Sequence, residues 1–80
     1  MKLPRDISGS ELVKLLSKYG YAVDRQVGSH IRITTVTNGL HSVTVPLHSS
    51  LKAGTLNGIL KDIADHLQIG KKELLGKLFE

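Results

Sequence analysis

Apolar positions recur along this chain with two different periods, and the changes of period divide it into elements. Leu12, Leu15, Leu16 and Tyr19 return at intervals of three and four while Lys14 and Lys18 lie off their face, the mark of an amphipathic helix. Just upstream, Ser8-Gly9-Ser10-Glu11 fits a capping box, and downstream Gly20 can adopt the left-handed conformation that stops a helix. The spacing predicts a first helix from about Gly9 to Tyr19. From Tyr21 the period falls to two, with Tyr21, Val23 and Arg25 on one side and Ala22, Asp24 and Gln26 on the other, as in a half-buried strand. Gly28-Ser29 interrupts it. A second alternating run, His30 to Val36, sets Ile31, Ile33 and Thr35 on one face and His30, Arg32 and Thr34 on the other.

Asn38-Gly39 signals a hairpin, and the hydrophobic pattern selects its register. A two-residue loop would pair Arg32 with Val45 and leave Val43 and Val45 on the polar face. A three-residue loop, Thr37-Asn38-Gly39, pairs Ile33 with Val43 and Ile31 with Val45, with Gly39 in the left-handed position of a bulge. That register leaves His30 and Arg32 projecting from the face opposite the apolar pairs. Pro46 closes the third strand, and Leu47 to Gly54 is predicted as a loop leading to Thr55 as the cap of a second helix. Leu56, Ile59, Leu60, Ile63, Ala64 and Leu67 form the strongest apolar stripe in the chain, with Lys61, Asp62, Asp65 and His66 largely off it. Lys71 to Leu78 is predicted as a short last helix through Leu74, Leu75 and Leu78. Two amphipathic helices flanking a one-sided sheet bury their stripes on the same sheet face, so the expected fold is a two-layer α+β domain of order α-β-β-β-α with a short C-terminal helix.

Composition narrows this picture. A chain of 80 residues has room for one modest core, so residues 1–80 are expected to form a single domain. With no cysteine there is neither a disulfide framework nor thiolate chemistry. The segment Met1-Lys2-Leu3-Pro4-Arg5-Asp6 lacks the apolar run of a signal peptide, and no later run suffices to span a bilayer, so no membrane partner and a cytoplasmic location are expected. The formal charge of +4 favours a polyanion as partner without identifying one.

The exposed strand face offers chemistry. A histidine exchanges a proton near neutral pH, and Arg32, two residues along, points the same way with a fixed positive charge. RNA cleavage without a metal requires a group to take the proton from a ribose 2′-hydroxyl and a cation to stabilise the attacked phosphate, and His30 and Arg32 are of those types. No two histidines stand at an i, i+4 spacing and no cysteine completes a zinc set, so neither a metal nor another cofactor is expected. Lys52, before the second helix, is the best candidate for a further phosphate contact, because a helix start also presents free N–H groups.

In order and spacing, Gly20-Tyr21, Arg25-Gln26-Val27-Gly28-Ser29-His30, Val45-Pro46-Leu47-His48 and Gly54-Thr55-Leu56 followed by Ile59-Leu60 resemble the HicA family of messenger-RNA-cleaving toxins. The resemblance implies a double-stranded-RNA-binding-domain-like fold, metal-independent endoribonuclease activity on mRNA, and neutralisation by a HicB-type antitoxin. It places the catalytic histidine of the Gly-Ser-His element at His30. It also implies that Gly28 and Ser29 lie against the substrate, Gly28 by letting the RNA backbone approach closely, although a glycine there equally serves a turn. His48 matches a position where the family often carries histidine, and is as well suited to capping its loop as to holding RNA. His41 and His66 are expected to be solvated. Tyr21 departs from the family's usual tryptophan, and Lys71-Lys72-Glu73 adds basic character at the carboxyl end. The alternative reading is a non-catalytic RNA-binding module of the same fold, which explains the charge but gives no reason for a histidine on the open sheet face.

Overall fold

The capping box forms as the sequence predicts. The Ser8 hydroxyl accepts the Glu11 backbone N–H and the Glu11 carboxylate accepts that of Ser8, both at 3.0 Å; the Ser8 backbone N–H first, and its hydroxyl second, hold the Glu11 carboxyl below its usual pKa. In the computed structural model, which describes residues 6–79, helix α1 (Gly9–Leu16) follows directly. The reading of Met1 to Arg5 falls outside the described residues. The end of the predicted first helix tightens into a 3-10 turn over Ser17–Tyr19, closed by Gly20 at φ +81°. Gly9 packs so closely on the exit of the third strand that a Cβ there would collide with the Pro46 carbonyl oxygen.

Three antiparallel strands, β1 (Ala22–Val27), β2 (His30–Thr35) and β3 (His41–Pro46), form a sheet in that order. Ile33 pairs with Val43 and Ile31 with Val45, the register selected by the hydrophobic pattern. The connecting loop is longer and differently bent than expected. The last ladder pair is Thr35 with His41, and both Asn38 (φ +58°) and Gly39 (φ +102°) are left-handed. Its tip is held from outside: the Asn38 side-chain amide donates to the His66 carbonyl at 2.9 Å, a contact no local pattern encodes.

The first strand corrects the sequence reading more deeply. All of β1 is exposed and the buried Tyr21 precedes it, so β1 is not half-buried. The register runs from Val23 opposite Ile33 to Arg25 opposite Arg32, which leaves Asp24 as an extra, bulged residue. The alternation that would put Val23 and Arg25 on one side is thereby broken. Val23 shares the face of Ile33, whereas Arg25 shares that of Arg32. Both faces of β1 are wet because the helices pack over β3 and leave this edge uncovered.

Helix α2 (Ala53–Leu67) begins earlier than predicted, with Lys52 rather than Thr55 as its cap. Leu51 is buried and its N–H is bonded to the Ile7 carbonyl at 2.8 Å, so the chain is already anchored there and the helix starts at the next turn. At its far end Gln68 (φ +57°) supplies the left-handed cap, and the Ile69 N–H bonds the Ala64 carbonyl at 3.1 Å. Helix α3 (Lys71–Leu78) packs on α2 through Leu74, Leu75 and Leu78. Leu12, Leu16, Ile33, Val45, Leu56, Leu60 and Ile63 fill the layer between helices and sheet. This is an α+β fold with one covered and one open sheet face, consistent with the expected double-stranded-RNA-binding-domain-like arrangement. Among the described residues no helix is long and apolar enough to cross a membrane.

Candidate active site

On the open sheet face, His30 starts β2 next to the tight loop Gly28-Ser29, which joins Val27 to its ladder partner His30. Two residues can make that turn because Gly28 takes φ +58°, the first-position glycine of a primed hairpin loop. A Cβ at Gly28 would meet nothing within 4 Å, so the space above the turn is open. Beyond the turn, the Leu47 N–H donates to the Ser29 carbonyl at 2.6 Å, which ties the loop to the end of β3.

His30 lines a hollow of about 260 Å³ with Arg25, Val27, Arg32 and Thr44. All five side chains are on the open face, and among the described residues the His30 imidazole has no hydrogen-bond partner. Arg32 is different. Its Nη2 lies 2.6 Å and its Nε 2.9 Å from Asp24 Oδ2, and the same oxygen accepts the Thr34 hydroxyl at 3.2 Å. The pair is nearly half exposed, so it adds little to stability, but it offsets the charge that the sequence reading left free at Arg32. Arg25, which the sequence reading placed in a strand and in the Gly-Ser-His motif but gave no role at the site, has no acidic partner among the described residues. A glance at charge would have found it; only the bulge put it on this face. A second hollow of about 450 Å³ shares Arg32 and Thr44 and continues past Ser42 to Gly54, Thr55 and Asp62 at the start and middle of α2.

Of the other candidates, His48 and Lys52 are exposed but line neither hollow. The His48 carbonyl accepts the Gly9 N–H at 3.0 Å, so its backbone anchors α1 to the loop. His41 and His66 are not solvated as expected. Their rings stack at 4.2 Å and 10° on the far side of the sheet. A carboxylate can only accept, so the His41 Nε2–H donates to Asp62 at 3.3 Å, and in the neutral ring Nδ1 accepts the Tyr21 hydroxyl at 2.7 Å. Burial first, and the Asp62 charge second, push the Tyr21 hydroxyl up to about 12, so it remains a donor. His66 Nε2–H donates to the carbonyls of Thr37 and Gly39 at 3.0 and 3.1 Å and clamps the hairpin tip. Among the described residues no three histidine, aspartate or glutamate side chains converge to hold a metal ion.

No curated protein and no solved structure matches the chain. Residues 9–64 match the protein family described as "HicA toxin of bacterial toxin-antitoxin". The matched segment runs from α1 through the sheet into α2 and contains every residue of both hollows. The chain therefore belongs to the HicA toxin family of bacterial toxin–antitoxin systems.

Proposed function

We propose that this toxin is a metal-independent endoribonuclease that cleaves mRNA in the hollow around His30. The observation that carries the reading is an imidazole with no hydrogen-bond partner among the described residues, on an open face beside two guanidinium groups. His30 takes the proton of a ribose 2′-hydroxyl as that oxygen attacks the neighbouring phosphorus. The bond to the 5′-oxygen breaks, the imidazolium returns the proton to the leaving oxygen, and the cationic wall stabilises the charge gathered on the phosphate. Products are a 2′,3′-cyclic phosphate and a 5′-hydroxyl. The hollow that continues along β3 toward α2 receives the flanking nucleotide chain. The turn Gly28-Ser29, with open space at Gly28, borders the substrate path.

Membership of a toxin–antitoxin family implies an antitoxin partner. A HicB-type antitoxin with an acidic surface silences the enzyme by covering the open face, drawn by the same charge that attracts RNA. The test is cleavage of an mRNA transcript by the wild-type protein and by His30→Ala, with and without a chelator. Cleavage is expected to survive the chelator and to fall about a hundredfold or more in the folded variant. RNA bound to His30→Ala should be displaced by added antitoxin. Undiminished cleavage by His30→Ala would remove His30 from the chemistry, and RNA binding without any cleavage would favour the non-catalytic module.

A further inference from the structure

We infer that Arg25, and not Arg32, is the side chain that takes the substrate phosphate, an assignment that deepens the ribonuclease reading and rests on it. Arg25 and Arg32 stand directly opposite each other in the β1–β2 ladder. Like charges so placed repel, and the bulged Asp24 sits where it relieves them by binding Arg32 through both Nη2 and Nε. To take a phosphate, Arg32 would have to leave that carboxylate or draw an anion towards it. Arg25 has neither obstacle. It lines the same hollow as His30, is exposed, and meets no acidic group among the described residues.

One inserted residue thus does two things. It breaks the alternation that would turn Arg25 to the helix side with Val23, and it supplies the carboxylate that offsets Arg32. With Arg32 and Asp24 cancelling, the wall beside His30 carries, among the described residues, one uncompensated guanidinium, the charge and the two-pronged donor geometry that match one phosphodiester.

The experiment measures binding of a single-stranded RNA oligomer to His30→Ala protein over a salt series, adding either Arg25→Gln, Arg25→Lys, or the charge-neutral pair Asp24→Asn with Arg32→Gln. Loss of one phosphate contact from a single strand lowers the slope of log affinity against log salt by about 0.7. Arg25→Gln is expected to show that loss and to weaken binding about tenfold at low salt. Arg25→Lys should keep the slope while losing part of the affinity, since a lysine cannot form the paired bonds. The double variant should keep the slope. The opposite result, a parental slope for Arg25→Gln and a reduced one for the double variant, overturns the assignment, as does absence of RNA binding. If the wild-type protein binds but cleaves no RNA, the ribonuclease reading falls and the salt series still decides for or against Arg25.

Discussion

The same imidazole group has opposite surroundings on the two sides of this molecule. On the open face His30 has no hydrogen-bond partner among the described residues and shares its hollow with charged side chains. On the covered side His41 and His66 stack on each other, and each ring nitrogen for which a bond is seen is turned to the fold: to Tyr21, to Asp62, or to the carbonyls at the hairpin tip. A histidine that exchanges a proton with a substrate needs a ring nitrogen the substrate can reach, whereas the N–H of His66 that clamps the hairpin is turned to the fold. The difference teaches that partners, rather than residue type, separate an imidazole open to solvent from one committed to the scaffold here.

The comparison breaks if the covered side is dispensable or the open side is structural. Leu60, fully buried in the middle of the α2 stripe, is the strongest probe. Leu60→Ala should cost about 2–5 kcal/mol by denaturant unfolding, whereas His30→Ala should leave the midpoint unchanged. An unshifted Leu60→Ala midpoint would contradict the packing described. His66→Ala should cost about 1–3 kcal/mol, because two carbonyls at the hairpin tip lose their donor. Amide exchange at Thr37 to Leu40 should accelerate while RNA cleavage persists; slow exchange there would mean that the clamp is incidental. The smallest effect is expected at Gly28→Ala, about 1–2 kcal/mol, arising from the positive φ alone because no atom crowds the site. A larger loss would show that the open side also carries packing.

Where local chemistry and the core pattern agree, the fold was legible in advance. Ser8 and Glu11 announce the start of α1, and matching Ile33 with Val43 and Ile31 with Val45 yields the hairpin register and the outward direction of His30 and Arg32. The bulge at Asp24 was not legible, since a regular alternation through β1 looks the same with and without one extra residue. Nor was the state of Arg32: Asp24 is eight residues away and meets it only across the strand pair. The clamp is more distant still, joining His66 to a loop twenty-seven and twenty-nine residues earlier.

By itself, then, the sequence determined the order of elements, the β2–β3 register, the core stripe of α2 and the family to which the chain belongs, because periodicity, caps and motifs act over a few residues or repeat along one element. Tertiary structure alone decided which cation stands uncompensated beside His30 and which histidines are committed to the scaffold. Those outcomes depend on whether a partner from another strand or helix comes within hydrogen-bond distance, and no spacing along the chain specifies that approach.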